Sequence, residues 1–119
     1  MGLDLFAHGV DSNKFKDLPP ILWGIMSSDG LCSIRGKTYA KLIDEICDVN
    51  IYQQKLPNKE LQRIVTQLSV YYVGAMDITN DEDRYTLHKP LGFSLEEIKA
   101  LLDWFKIVKE NNGQVIGWW

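Results

Sequence analysis

The stretch Phe93–Trp119, FSLEEIKALLDWFKIVKENNGQVIGWW, carries the clearest secondary-structure signals in the chain. Ser94 and Glu97 stand three residues apart, as in a capping box at the start of a helix. Apolar residues then recur at helical spacing and form one face: Ile98, Leu101, Leu102, Phe105 and Val108. We predict a helix over about Leu95–Asn112 and, after a glycine, a strand over Gln114–Trp119.

Two more helices are predicted upstream from the same spacing of apolar residues. The first covers about Thr38–Val49, and Asn50 is suited to end it because asparagine tolerates the left-handed conformation. The second covers about Lys59–Val73, between Asn58 as N-cap and Gly74 as terminator. The chain therefore contains three predicted helices.

Strands are predicted where β-branched, aromatic or alternating apolar residues occur, namely at Leu3–Phe6, Leu31–Arg35, Arg84–His88 and Gln114–Trp119. These strands do not alternate with the helices regularly enough for a doubly wound parallel sheet. We therefore predict one α+β domain over residues 1–119, a small, mostly antiparallel sheet with three helices packed on one face.

The composition is that of an ordinary globular protein, with 45% hydrophobic and 24% charged residues. The net charge of −3 argues against a protein that binds duplex nucleic acid. No apolar run is long enough to span a membrane, and the first residues do not resemble a secretory signal. With Cys32 and Cys47 as free thiols, we expect a cytoplasmic protein that does not associate with membranes.

The segment Gly30–Thr38, GLCSIRGKT, resembles the end of a phosphate-binding P-loop. A P-loop would need glycine at position 31, where this chain has Leu31, so the wrap of backbone amides is not possible. A simpler anion site is expected where the predicted strand turns into the first helix, since the first N–H groups of a helix lack partners. Its residues are Arg35, Gly36, Lys37 and Thr38, which we call the RGKT turn.

The charges of the first helix oppose its dipole. Its positive end carries Arg35, Lys37 and Lys41, and its negative end carries Asp44, Glu45 and Asp48. Each misplaced charge costs about 0.3–1 kcal/mol, and a bound anion would remove this cost. Two structural alternatives stay open: Lys41 pairs with Glu45 one turn later, and Arg35 forms a structural ion pair.

The opening MGLDLFAHG and the segment SIRGKTYAKLIDEI together resemble small uncharacterised bacterial and phage proteins. Those proteins begin MGLD and carry an S-x-R-G element before a helix. The resemblance implies a phage or mobile-element origin, in which small proteins often bind or block a target rather than catalyse a reaction. It implies no particular activity.

Metal sites and catalytic constellations do not fit the spacing. The acidic segment 77–83 lacks the glycine and glutamate that a calcium loop requires. The set Cys32, Cys47, His8 and His88 matches no paired zinc spacing, and no nucleophile stands beside a base in sequence. We therefore expect no metal, no cofactor and no enzymatic activity.

Tryptophans supply the second candidate surface. Trp104 lies near the buried face of the third helix and is expected in the core, whereas Trp118 and Trp119 are adjacent on a strand. Adjacent strand residues face opposite sides, so one of the pair points away from the core, to stack on a base, enter a second subunit or fold back. The segment LPPILW, which ends at Trp23, adds further apolar surface.

Two functions follow. The first is a non-enzymatic protein that binds a phosphorylated, nucleotide-type ligand as a homo-oligomer, in a phage setting to sequester a signalling nucleotide. Its ligand-binding residues would be Arg35, Gly36, Lys37, Thr38, Tyr39, His8 and Trp119, with Tyr39 or Trp119 stacked on the base. The alternative is a protein-interaction or inhibitor module whose surface consists of Trp23, Trp118 and Trp119 with their apolar neighbours.

Overall fold

The computed structural model describes residues 3–18, 33–76 and 93–118. Its elements in chain order are β1 (Asp4–His8), a short 3₁₀ helix (Ser12–Phe15), β2 (Ser33–Ile34), α1 (Gly36–Cys47), α2 (Asn58–Met76), α3 (Leu95–Glu110) and β3 (Gln114–Trp118). The predicted strand Arg84–His88 and the acidic segment 77–83 lie outside the described residues, as do Trp23 and Trp119.

The three described strands form one antiparallel sheet in the order β2-β1-β3. Phe6 on the central strand β1 stands opposite Ile116 on β3. On the far side of β3, the N–H of Leu56 donates to Val115 O at 2.9 Å and the N–H of Gly117 donates to Gln54 O at 3.0 Å. Residues 54–56 therefore cover that edge of the sheet.

The two faces of the sheet have different environments. Along β1, Leu5 and Ala7 are buried while Phe6 and His8 are exposed, which is the period of two expected for a sheet packed on one side. The buried face packs with apolar residues from all three helices in one core, and α2 contacts both α1 and α3. The prediction of an α+β fold with an antiparallel sheet and three helices is confirmed. We call the side of the sheet that carries Phe6 and His8 its outer face.

The observed start of a helix agrees with the sequence prediction where the sequence supplies a side-chain cap. Helix α3 begins at Leu95 as predicted, because Ser94 Oγ accepts the N–H of Glu97 at 3.1 Å. Helix α1 begins at Gly36 rather than Thr38 and ends at Cys47, where Asp48 rather than Asn50 takes the left-handed conformation at φ 55°. Trp104 is 1% exposed, so its predicted place in the core is confirmed.

Helix α2 extends past Gly74 to Met76, so the prediction that this glycine ends the helix is wrong. A glycine within a helix costs only about 1 kcal/mol relative to alanine, and the packing of the preceding turns offsets that cost. None of the helices in the described parts of the chain has the length and apolar character needed to cross a bilayer.

Candidate functional site

The RGKT turn lies where β2 passes into α1, at one end of the sheet. The N–H of Lys37 donates to Leu3 O at 2.9 Å, and the N–H of Thr38 donates to Arg35 O at 3.1 Å. The N-cap residue, Arg35, makes no side-chain capping hydrogen bond among the described residues. The helix therefore begins without the hydroxyl or carboxylate cap that Ser94 provides for α3.

Gly36 has a structural explanation. A Cβ atom on this residue would lie 2.9 Å from Leu3 Cγ and 3.0 Å from Leu3 O, closer than real Cβ contacts. Glycine is needed here because the first turn of α1 approaches the start of β1 closely. This contact accounts for the glycine of the RGKT turn without a phosphate.

Arg35 belongs to a chain of three polar side chains. Its Nη2 donates to the Tyr39 hydroxyl at 3.3 Å and lies 3.7 Å from Glu97 Oε2. The Tyr39 hydroxyl donates to that same Oε2 at 2.6 Å. The side chain of Arg35 is 38% exposed and that of Glu97 is 12% exposed, so the pair lies at the edge of the core. The alternative that Arg35 forms a structural ion pair is confirmed.

Tyr39 is 0% exposed, and its ring packs against Phe93 with centroids 5.4 Å apart. Burial, reinforced by the Glu97 carboxylate, holds the pKa of the Tyr39 hydroxyl well above its usual value. A ring enclosed in this way cannot stack on a nucleobase. The expectation that Tyr39 stacks on a ligand is therefore corrected, because the residue connects α1 to α3 inside the fold.

Lys37 and Thr38 are exposed on the first turn of α1. Lys41, one turn later, lies 4.0 Å from Glu45 with both side chains largely exposed, as the structural alternative predicted. Helix α1 has no acidic residue in its first turn and no basic residue in its last turn. The reversed charge pattern is thus present in the folded helix. The ion pairs with Glu97 and Glu45 account for the positions of Arg35 and Lys41, but they do not account for the position of Lys37.

The other predicted site residues divide between the two ends of the sheet. Trp118 occupies the register position opposite Asp4, at the end where Leu3 contacts the RGKT turn. His8 is exposed and stands opposite Gln114, about 13 Å away along β1. The end of β3 and the RGKT turn therefore lie at the same end of the sheet, on opposite sides of β1, whereas His8 lies at the other end. Trp119 lies outside the described residues.

Two features escaped the sequence interpretation. Glu97 was assigned to the capping box, whereas its Oε2 accepts a hydrogen bond from a residue 58 positions earlier. Phe6 was placed at the end of a strand, whereas it lies at the centre of the outer face and is 42% exposed. The alternation in Asp4–His8 was a signal for the exposed Phe6, but no local pattern points to the partner of Glu97.

The rest of the described surface has a polar cleft but no cluster of metal-binding side chains. A cleft of about 360 Å³ lies between the first turn of α2 and the turn from α3 to β3, and it is lined mainly by polar side chains, including Asn58, Lys109 and Gln114. Across residues 3–18, 33–76 and 93–118, no three His, Cys, Asp or Glu side chains are grouped to hold a metal ion.

Known proteins offer no guide to this site. Comparisons of the chain with protein-family models, curated proteins and solved structures find no match.

Proposed function

We propose that the chain is a non-enzymatic binding protein that takes a phosphorylated, nucleotide-type anion at the RGKT turn. One observation carries the proposal. The guanidinium of Arg35 contacts Glu97 and Tyr39, and the Arg35 side chain as a whole is 38% exposed, beside the exposed Lys37 and Thr38 at a helix start without a side-chain cap.

The arrangement favours an anion for electrostatic reasons. Arginine presents several N–H donors in a fixed plane, and holding the side chain in place before binding lowers the entropy lost when it grips a ligand. The start of α1 adds positive potential from the helix dipole. Lys37 adds a second cation and Thr38 adds a hydroxyl donor, so the turn offers complementary groups to one phosphoryl group.

The roles of the predicted site residues change accordingly. Tyr39 becomes a positioning residue for Arg35, and His8 is removed from the proposed site by its place at the other end of β1. We assign base stacking to Trp119, which follows β3 in sequence, because β3 ends at the same end of the sheet as the RGKT turn. We also propose that the chain forms a homo-oligomer and that the ligand binds near a boundary between subunits.

We further propose a cytoplasmic location and a sequestering role, as in phage proteins that remove a signalling nucleotide. The free thiol of Cys47 supports a reducing compartment. The resemblance of the MGLD opening to small phage and bacterial proteins supports the role, because such proteins often block a target rather than turn it over.

A thermal-shift screen of nucleotides, cyclic nucleotides and sugar phosphates tests the proposal. A ligand present at 100 times its Kd adds about 2.7 kcal/mol to the stability of the folded state, which moves Tm by several degrees. Lys37→Glu should abolish the shift. Lys59→Glu is the matched control, because Lys59 is also the exposed second residue of its helix. A shift that survives Lys37→Glu would contradict the proposed site.

A protein-interaction module is the second candidate, and the exposure of Phe6 favours it. Phe6 is 42% exposed at the centre of the outer face, opposite Ile116. Exposed aromatic residues at the centre of a sheet face are typical anchors of protein interfaces. Under this candidate, Phe6→Ser abolishes binding of a protein partner or self-association, and Lys37→Glu has little effect on either. Affinity capture and light scattering of both variants separate the two functions.

A further inference from the structure

We infer that the outer face of the sheet binds a second copy of the chain, with Asp4 of each copy beside His8 of the other. The inference deepens the homo-oligomer of the proposed function and rests on that part of it alone. It uses no residue of the RGKT turn.

The outer face has an apolar centre that is partly open to solvent. Phe6 is 42% exposed in the middle of β1, and Ile116 stands opposite it on β3. Lys55, which is exposed, pairs with Ile116 from the other side of β3. An exposed apolar centre of this kind marks an interaction surface, because covering it removes apolar area from water.

Two polar groups of different chemistry flank this centre on β1. Asp4 lies two residues before Phe6 and His8 lies two residues after it, so the three residues share one side of the strand. Each of the two is about 7 Å from Phe6 along the strand. A carboxylate and an imidazole therefore stand at equal distances on either side of the aromatic ring.

A twofold axis makes this face complementary to itself. If the axis lies between the two sheets, perpendicular to the strands and along the row of Phe6 and Ile116, each of these residues packs on its own counterpart. Asp4 of one copy then faces His8 of the other, twice in each dimer, and an imidazole N–H donates to the carboxylate. An axis parallel to the strands would instead place Asp4 against Asp4, and like charges oppose that arrangement. The polar groups of β1 therefore select the first arrangement.

Other groups on the face are compatible with this dimer. Lys55 meets its own counterpart at the edge of the interface, across a gap between sheets of about 10 Å, where salt largely screens the repulsion. Asp4 also interacts within its own chain. A carboxylate accepts several hydrogen bonds, so His8 of the second copy can still donate to it.

The size of the face sets the expected strength of the dimer. Strands β2, β1 and β3 with residues 54–56 form four paired segments, which span about 19 Å across and about 17 Å along the strands. This is less than the area of about 800 Å² that each partner buries in a complex of standard size. We therefore expect a reversible dimer with a Kd of about 10 μM to 1 mM.

Sedimentation equilibrium of the ligand-free protein tests the inference. The mass of the unsubstituted chain should rise from 13.7 kDa toward twice that value as its concentration approaches about 1 mM. His8→Asp sets carboxylate against carboxylate in both pairs and should raise the Kd at least about tenfold. Gln67→Asp adds a carboxylate on the exposed side of α2 and should leave the Kd unchanged.

Exchanging the two groups gives a second test. The double variant Asp4→His/His8→Asp re-forms both pairs with the roles reversed and should dimerise like the unsubstituted chain. An equimolar mixture of the single variants Asp4→His and His8→Asp should form mixed dimers, because each copy supplies what the other lacks. Thermal unfolding of every variant establishes that it is folded before its mass is compared.

Three results would overturn the inference. They are a mass of 13.7 kDa at every concentration, a His8→Asp variant that dimerises as well as the unsubstituted chain, and folded exchange variants that stay monomeric. None of these results concerns the anion site, which is tested by ligand binding at the RGKT turn. A dimer of the expected kind without anion binding would leave this inference standing and overturn the anion site of the proposed function.

Discussion

The hydroxyl of Tyr39 donates a 2.6 Å hydrogen bond to Oε2 of Glu97 and so connects the first turn of α1 to the first turn of α3. The two residues are 58 positions apart in sequence. Arg35 reaches both of them, so the side chain that the sequence presents as a ligand-binding cation is also part of the fold. The proposed function therefore depends on a residue with a structural and a binding role.

Tyr39→Phe should destabilise the protein by about 1.5–3 kcal/mol, because it removes a hydrogen bond to a carboxylate that is largely buried. Urea denaturation of this variant, of Glu97→Ala and of the double variant gives the coupling energy of the pair, because each single change removes the hydrogen bond. Tyr72→Phe, on the partly exposed side of α2, is the control and should change stability little. A coupling energy of zero would show that the hydrogen bond does not stabilise the fold.

Gly36→Ala should lower stability by about 1–2 kcal/mol, since the new methyl group collides with Leu3. Gly74→Ala is the matched control within α2, where a Cβ atom would meet nothing within 4 Å. That change should raise stability by about 0.5–1 kcal/mol through helix propensity alone. Thermal or urea unfolding measures both. Equal effects of the two substitutions would contradict the close contact between α1 and β1.

Lys37→Glu should raise the stability of the ligand-free protein by about 0.5–1 kcal/mol, because it replaces a cation at the positive end of a helix with an anion. Lys59→Glu, at the equivalent position of α2, should give a similar gain. Only Lys37→Glu should also abolish binding. A loss of stability in the Lys37 variant would show that this lysine has a structural partner and would remove the electrostatic argument for the site.

The buried thiol of Cys47 should make stability depend on alkaline pH. Burial raises its pKa to about 12, against a usual value of 9.0. The unfolded chain loses the thiol proton first, so this contribution is complete below pH 9.0 and is lost as the pH rises toward 12. In a Cys32→Ser background, the free energy of unfolding should fall by about 1–2 kcal/mol more between pH 8 and pH 10.5 than in the same background with Cys47→Ala. Parallel pH profiles of the two proteins would contradict the burial of this thiol.

A feature of the fold could be predicted from the sequence when the residues that determine it are close together in the chain. The start of α3 was correct because Ser94 caps a helix from within the same turn. The predicted start of α1 was wrong because the start is set by a contact with Leu3, the residue before β1, which is distant in sequence. The sequence predicted that Tyr39 stacks on a base, and that prediction was wrong because the ring is buried once the helices have packed.

The candidate site shows the same division. The cations of the RGKT turn and their opposition to the helix dipole are visible in sequence, and both persist in the fold. The carboxylate of Glu97 beside Arg35 is not visible, because the contact exists only once α1 and α3 have packed. Likewise, only the sheet register shows that β3 ends at the same end of the sheet as the turn and that His8 lies at the other end.

An amide NMR titration with dimethyl phosphate, a phosphodiester without base or sugar, tests the central claim most directly. Sodium chloride at matched ionic strength is the control. The account predicts saturable shifts centred on the amides of Gly36, Lys37 and Thr38 that are absent in Lys37→Glu and present in Lys59→Glu. Shifts centred on the cleft beside Asn58, shifts on the outer face beside Phe6, or no saturable shift at all would contradict an anion site at the RGKT turn.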